Sequence, residues 1–275
     1  TWDEMWRRPF DRPDLVWRKD TQWNDQDIAC AQSPDPKETI IIHTFGFGGS
    51  TGAELCLVSP IYTSGAVWFV SSVGGTDAAA PAGKSREAPL ASLAQAQTNA
   101  AAGDVIVILV NHTESLGTKL TLSKAGLVIL GEGMGTSRPT FNRTADVNLF
   151  DVTGAGIRLE NLRFATDSAA GYTADRVLIS AASCIVRGCY FAVGLADSVS
   201  PALAVASGVA NLTIDGATQF VSSGTSRTAT GFRGLALNGT TTDLELHDVT
   251  FDAGTYGWLS HAFNAAGAVT RLRAK

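Results

Sequence analysis

The sequence predicts an all-β protein whose main domain is a parallel β-helix with three strands in each coil. Two observations support this fold: a short segment that recurs about every 30 residues, and a break in its strand pattern at one place in every copy. Repeats of this length are typical of solenoids, in which each coil contacts only its neighbours. The copies are Gly156–Phe164 (GIRLENLRF), Cys184–Phe191 (CIVRGCYF), Leu212–Phe220 (LTIDGATQF) and Leu244–Phe251 (LELHDVTF).

Apolar and polar residues alternate within each copy, which is the periodicity of a β-strand. The third copy carries one extra residue before its phenylalanine. Because stacked coils place like residues above like, we expect the last column to form an internal ladder of phenylalanine rings. Aligned on their apolar positions, the copies give four columns: Ile157, Cys184, Leu212 and Leu244; Leu159, Val186, Ile214 and Leu246; Leu162, Cys189, Ala217 and Val249; and Phe164, Phe191, Phe220 and Phe251.

The alternation breaks once in each copy, at Asn161, Gly188, Gly216 and Asp248. Asn, Gly and Asp tolerate a left-handed backbone at little cost, so a tight corner between two strands is predicted there. A third strand precedes each copy, within 149–152, 177–181, 203–206 and 235–237. The residues seven positions ahead of the first column are predicted to stack as well: Phe150, Val177, Val205 and Leu237.

Composition restricts the classes of function. The chain has 275 residues, 17% of them charged, and a net charge of −5. Acidic proteins are poorly suited to nucleic acid, whose binding is dominated by basic contacts to phosphate, so we expect no nucleic-acid partner. No apolar run approaches the roughly 20 residues of a transmembrane helix, and we expect neither membrane insertion nor a signal peptide at the start.

The four cysteines do not form a disulfide or metal framework. Cys184 and Cys189 occupy predicted inward positions of one coil, whereas Cys30 and Cys56 stand alone. Without a CxxC pair a zinc site is not expected. The interpretation is buried free thiols in a protein assembled in a reducing cytosol, with no metal and no cofactor.

Residues 1–36 differ from the rest of the chain. They hold four of the six tryptophans, interleaved with arginines and acidic residues, and four prolines that discourage a long helix. Exposed Trp and Arg are enriched at interface hot spots, so we interpret this segment as an extended arm that docks on a partner. The alternative is that it wraps around its own β-helix. The candidate docking residues are Trp2, Trp6, Arg7, Arg8, Trp17, Arg18 and Trp23.

Residues 37–66 contain two apolar runs, Thr39–Phe45 and Leu55–Val58, on either side of a glycine-rich stretch. This pattern predicts a small β subdomain or hairpin. The solenoid is predicted to cover residues 67–275. It is expected to end in the middle of a coil, because AVTRLRAK at 268–275 looks like the start of another strand, with Leu272 falling 26 residues after Leu246.

Residues 67–114 and 127–141 resemble the opening coils of pectate-lyase-like right-handed β-helix proteins. The resemblance extends over about residues 67–275 and implies a right-handed helix with a short α-helix closing its end, predicted at about 89–102. Pro89 suits the first turn of such a helix and Gly103 its end. The features that carry the resemblance are the strand Trp68–Ser71, Gly75 and Asp77, the helix entry Pro89–Leu93, Gly103–Asp104, and LVILGEGMGTSRPTF at 127–141.

A column of outward residues just before the corner, Glu160, Arg187, Asp215 and His247, offers the best candidate for chemistry. Two coils apart, Glu160 and Asp215 would be separated by about 9–10 Å, at the upper edge of what an inverting glycosidase uses. Arg187 and His247 would assist. The alternative is a ladder of alternating charges, which is favoured because Arg187 between the acids would lower both pKa values. Calcium-binding pectate lyases use several clustered carboxylates with an arginine base, and the column lacks such a cluster.

Two classes of function remain. The first is a structural or adhesive spike on a virion, such as a bacteriophage tailspike or head spike. The expected protein is a homotrimer assembled in the host cytoplasm, anchored to other virion proteins through residues 1–36, and able to contact host surface polysaccharide for attachment. The second is a polysaccharide lyase or glycoside hydrolase on a β-helix scaffold. The sequence favours the spike, and an enzyme is the less favoured alternative.

Overall fold

The computed structural model describes residues 31–32, 39–41, 61–63, 65–165, 172–193, 201–222, 233–252 and 261–274. The chain divides into two compact units, Thr1–Ser64 and Gly65–Lys275. In the first unit β1 (Ala31–Gln32), β2 (Thr39–Ile41) and β3 (Ile61–Thr63) form an antiparallel sheet in that order. Strand β1 lies within residues 1–36, so the end of the predicted arm pairs with the predicted β subdomain. The predicted strand Leu55–Val58 lies outside the described residues.

The second unit is built from three parallel sheets, and each coil passes through them in the same order. The first sheet contains β7 (Leu120–Leu122), β10 (Phe150–Val152), β13 (Val177–Ile179), β16 (Pro201–Val205), β19 (Arg233–Leu237) and β22 (His261–Ala265). The second contains β4 (Val67–Val70), β5 (Val105–Ile108), β8 (Val128–Gly131), β11 (Arg158–Glu160), β14 (Ile185–Arg187), β17 (Ala210–Asp215), β20 (Thr242–Leu246) and β23 (Leu272–Ala274). The third contains β6 (Thr113–Leu116), β9 (Thr140–Arg143), β12 (Arg163–Phe164), β15 (Tyr190–Val193), β18 (Thr218–Ser222) and β21 (Val249–Asp252).

This topology confirms the predicted fold class, a right-handed parallel β-helix with three strands per coil and, in the described residues, one short α-helix. The phenylalanine ladder is confirmed as well. Neighbouring rings of Phe164, Phe191, Phe220 and Phe251 have centroids 4.8, 4.8 and 4.9 Å apart and are within 12° of parallel. Phe141 extends the column toward the first coils at a centroid distance of 6.2 Å.

The predicted columns of the second sheet match the observed register. Leu159 pairs with Val186, which pairs with Ile214, which pairs with Leu246. The predicted column of the first sheet, which placed Val205 next to Val177, was wrong by two residues. Val177 pairs with Leu203, and Val205 pairs with Ile179. The corner between the first and second sheets is two residues longer from the coil of Val205 onward, so counting back a constant seven positions fails there.

The extra residue of the third copy is Ala217. Ala217 was predicted to be inward, but it is exposed and has a φ of 59°, and Thr218 takes the inward place in register with Val249. Thr218 is fully buried, and its hydroxyl donates to the Asp215 carbonyl at 2.7 Å. The buried hydroxyl is therefore satisfied where the other copies have an apolar residue.

Both corners that flank the second sheet use left-handed residues. The predicted corner is confirmed, since Asn161, Gly188, Gly216 and Asp248 have φ of 54°, 59°, 63° and 53°. The corner before the second sheet follows the same rule, although the repeat analysis did not single it out. Its column consists of Gly103, Gly126, Gly156, Ser183, Asn211 and Asp243, with φ of 79°, 67°, 71°, 60°, 55° and 55°.

The α-helix, α1 (Leu93–Asn99), buries Leu93 and Ala96 at the end of the stack that begins with β4. It is shorter than the predicted 89–102. Ser92 stays extended and its hydroxyl accepts from the Gln95 amide at 3.1 Å, which starts the helix after Pro89. Ala100, with a ψ of 157°, ends the helix before Gly103.

A buried carboxylate ties the first coil together. Asp104, 4% exposed, accepts hydrogen bonds from the Ala66 amide at 2.7 Å, the Trp68 indole at 2.8 Å and the Ala101 amide at 2.8 Å. These donors come from the strand before the helix and from the loop after it. Asp104 is thus a structural carboxylate whose oxygens are used by fold contacts.

The predicted strand at 268–275 is present as β23. Leu272 pairs with Leu244, so the offset is 28 residues, and Ala274 occupies the position next to Leu246.

Candidate functional site

The candidate catalytic residues lie in one column on the outward face of the second sheet. Glu160 pairs with Arg187 in the backbone register, and Arg187 pairs with Asp215. His247 occupies the same column one coil further on, since the preceding residues Ile214 and Leu246 pair. The prediction that these four residues share a column is therefore correct, and their contacts decide what the column can do.

Arg187 and Asp215 form a bidentate ion pair between adjacent coils. The Arg187 Nε and Nη2 atoms donate to the two carboxylate oxygens of Asp215 at 2.9 and 2.7 Å. The hydrogen bond to Asp215 raises the pKa of Arg187; burial opposes this, and the charges of Asp215 and Glu160 add to the increase. Both oxygens of Asp215 are occupied by a permanently charged partner.

Glu160 has a different partner from the one that the ladder predicts. Its carboxylate is bonded by Arg158, two residues earlier on the same strand and so on the same face, rather than by Arg187. Glu160 is 2% exposed, and Arg158 is also partly buried over it. The carboxylate is thus covered from solvent and paired.

His247, the residue after β20, contacts Glu245 at 3.6 Å, which is again two residues earlier in the sequence. Glu245 also pairs with Arg273 of β23 at 2.7 Å, and Asp243 pairs with Arg271, the residue before β23, at 2.5 Å. The outward face of the second sheet is consequently a set of ion pairs, some between coils and some within one strand.

General acid–base catalysis needs one carboxyl group that can hold a proton and another that can reach water or substrate. Glu160 is buried under Arg158, and both carboxylate oxygens of Asp215 accept hydrogen bonds from Arg187. In this arrangement neither group is placed to donate or accept a proton at a glycosidic bond. In the described part of the chain no three His, Cys, Asp or Glu residues are grouped closely enough to hold a metal ion.

The candidate docking residues Trp2, Trp6, Arg7, Arg8, Trp17, Arg18 and Trp23 lie outside the described residues. Cys184 and Cys189 are free, inward and buried, as predicted, whereas Cys30 and Cys56 are outside the described residues. Burial raises the pKa of the Cys189 thiol to about 12.

The repeat analysis missed a second group of polar side chains, on the third sheet and just before it: Arg138, Arg163 and Tyr190. Arg163 and Tyr190 occupy equivalent outward positions of consecutive copies, which the alignment contained. Arg138 belongs to the irregular part of the preceding coil, and no sequence pattern connects it to the other two.

No family model and no curated protein matches this chain. Among solved structures the chain is similar to a rhamnogalacturonan lyase, with 15% identity over 76% of this chain and a TM-score of 0.48. It is also similar to the pectate lyase Pel9A, with 11% identity over 75% of this chain and a TM-score of 0.47. The chain spans 62% of the length of each of these two proteins.

These low-identity likenesses carry no activity to this chain, whose fold is the parallel β-helix described above. Within the described residues no helix is both long and apolar enough to cross a membrane.

Proposed function

We propose that this chain is a structural or adhesive spike protein of a virion, of the bacteriophage tail- or head-spike type, whose β-helix serves as a non-catalytic shaft. The observation that carries the proposal is the state of the outward carboxylates. Asp215 forms a bidentate ion pair with Arg187, and Glu160 is buried under Arg158. Carboxylates arranged in this way support a rod and are unavailable for acid–base chemistry.

The inside of the β-helix supports the same role. Four stacked phenylalanine rings run through four consecutive coils with spacings of 4.8 to 4.9 Å. The flanking corners repeat the same left-handed backbone from coil to coil. Regularity of this kind suits a stiff shaft, because each coil repeats the contacts of the one before.

Attachment is proposed to use residues 1–36, whose tryptophan and arginine content fits a docking segment. The assembly is proposed to be a homotrimer in the virion, formed in the host cytoplasm. Three arms on one trimer would bind a particle far more tightly than a single arm, through their effective concentration.

The test of the catalytic part is a panel of neutral and acidic bacterial polysaccharides, assayed for new reducing ends and for unsaturated products. We expect no cleavage by the chain. Cleavage that disappears in Glu160→Gln or Asp215→Asn, while folding is retained, would overturn the proposal and establish the alternative, a polysaccharide lyase or glycoside hydrolase.

The test of the attachment part is deletion of residues 1–30, which spares β1 and its pairing with β2. We expect a folded, β-rich trimer by circular dichroism and sedimentation that no longer joins the particle. Normal incorporation of the truncated protein would rule out docking through the arm, and a monomeric full-length chain would rule out the trimer.

A further inference from the structure

Two arginines on adjacent coils come together where the chain enters the third sheet. Arg138 lies two residues before β9, and Arg163 is the first residue of β12. The two strands pair in register, with Thr140 opposite Arg163, and the Arg163 amide donates to the Pro139 carbonyl at 2.9 Å. The backbone pairing therefore brings the two arginines onto adjacent coils, near enough for the charge of Arg163 to lower the pKa of Arg138.

Within the described residues neither guanidinium has an acidic partner. In that part of the chain no ion pair and no hydrogen bond involves the side chain of Arg138 or Arg163, and the Nε atom of each is buried without an acceptor. Other arginines of the same β-helix are paired with carboxylates. These pairs are Arg86–Glu132, Arg158–Glu160, Arg187–Asp215, Arg271–Asp243 and Arg273–Glu245.

The electrostatics of the pair are unfavourable in the absence of an anion. Burial lowers the pKa of Arg138 most strongly, and the charge of Cys189 opposes this. The like charge of Arg163 lowers the pKa further, and Tyr190 has the smallest, opposing effect. On the outward face of the third sheet the described part of the chain offers one acidic residue, Asp252 on β21, three strands beyond β12. At about 4.8 Å per strand it is too far away to neutralise the pair.

An aromatic ring completes the cluster. The Cζ atom of Arg163 lies 5.6 Å from the centre of the half-buried Tyr190 ring, in the next coil. The same outward column continues with Thr140 on one side and Gln219 on the other. A ring, two guanidinium groups and flanking hydroxyl and amide groups are the usual lining of a site for a polar ring that carries an anion.

We propose that Arg138, Arg163 and Tyr190 form a binding site for the oxyanion of an acidic surface polysaccharide, with a sugar ring on Tyr190 and its carboxylate or sulfate on the guanidinium pair. The proposal gives a location and a ligand class to the adhesive part of the proposed function, and rests on it. A polysaccharide is favoured over nucleic acid because the net charge of the chain is −5, and because the column next to the arginines supplies neutral hydrogen-bonding groups.

The experiment measures binding of the full chain to four probes by affinity electrophoresis and calorimetry. The probes are alginate for carboxylate, dextran sulfate for sulfate, unmodified dextran as the neutral polymer, and single-stranded DNA. We expect binding to alginate or to dextran sulfate, weakened by salt, and no binding to dextran. Arg163→Gln and Arg138→Gln should each weaken that binding by roughly tenfold or more, since a charge-assisted contact is lost.

The matched control is Arg273→Gln, which removes the same charge from an arginine paired with Glu245 on the second sheet. It should leave binding unchanged. An equal loss in Arg273→Gln and Arg163→Gln, no binding to either anionic polysaccharide, or tighter binding to DNA than to both would each overturn the proposal.

Thermal unfolding separates a binding role from a structural one. Because Arg138 and Arg163 have no acidic partner to lose among the described residues, their glutamine variants should melt at the same temperature as the parent or higher. A lower melting temperature for both, with Tyr190→Ala binding normally, would assign the cluster to the fold and end the proposal. Polysaccharide cleavage would contradict the proposed shaft function alone, whereas binding that is unchanged in Arg138→Gln and Arg163→Gln would contradict this site alone.

Discussion

Phe191 and Phe220 stack face to face, with centroids 4.8 Å apart and ring planes 9° from parallel. The two residues are 29 positions apart in sequence, and the backbone register of β15 and β18 places them opposite each other. Parallel in-register pairing forces identical side chains together at the strand spacing, so the stack is a direct consequence of the repeat.

The first prediction concerns this stack. Phe191→Ala should lower the free energy of unfolding by about 3–5 kcal/mol, because a fully buried ring leaves a cavity between two others. Phe251→Ala should cost distinctly less, since Phe251 is only partly buried. Chemical denaturation of both variants measures the difference. Equal losses of unfolding free energy would contradict the deeper burial of Phe191 relative to Phe251.

The second prediction concerns the corner before the second sheet. Ser183 has a φ of 60° in a column where earlier coils use glycine. Ser183→Gly should raise the free energy of unfolding by about 0.5–1 kcal/mol, because the left-handed conformation costs a side chain more than glycine. Gly156→Ala should lower it by about 1 kcal/mol, and there is room for the added methyl group, whose nearest contact would be Gly126 at 3.7 Å. A higher melting temperature for Ser183→Gly together with a lower one for Gly156→Ala supports the strain argument, and shifts of the same sign in both variants would refute it.

The third prediction concerns Asp104. Asp104→Asn places an amide donor against N–H groups of Ala66, Trp68 or Ala101, each now bonded to the carboxylate. Leaving buried donors unsatisfied should destabilise the first coil by at least about 2 kcal/mol. Asp146→Asn is the control, because Asp146 also accepts from two backbone amides but is exposed, and it should cost much less. Equal losses of unfolding free energy in Asp104→Asn and Asp146→Asn, measured by denaturant titration, would show that burial of the carboxylate does not determine the size of the loss.

The fourth prediction concerns the thiols and pH. Burial raises the pKa of Cys189 from an ordinary value of 9.0 to about 12, so the folded chain keeps this proton at a pH where the unfolded chain has lost it. Its contribution to stability is fully present below pH 9 and should fall as the pH rises from about 9 to about 12. In a Cys30→Ser, Cys56→Ser background, Cys184 and Cys189 should resist a thiol reagent at pH 8 until denaturant is added.

The control for the pH effect is Cys189→Ala. Its unfolding free energy should be lower at neutral pH, because volume is lost from the core, but should decline less steeply above pH 9 than that of the parent. Parallel curves for the two proteins, or rapid labelling of Cys189 in the folded state, would show that the thiol is not held in its neutral form.

The repeat by itself determined the fold class, the inward columns of the second sheet, the phenylalanine ladder and one of the left-handed corners. These features are local. Alternation of apolar and polar residues marks a strand within a few positions, and residues such as Asn161 and Gly188 mark a left-handed corner whatever surrounds them.

Only the tertiary structure decided contacts that depend on corner length and on side-chain reach between coils. A corner longer by two residues shifted the partner of Val177 from Val205 to Leu203, and one inserted residue placed Thr218 inside in place of Ala217. The register placed Glu160 beside Arg187, yet its carboxylate is bonded by Arg158 on its own strand. Arg138 lies in an irregular corner and comes near Arg163 because β9 and β12 pair, a relation that no periodic pattern in the chain encodes.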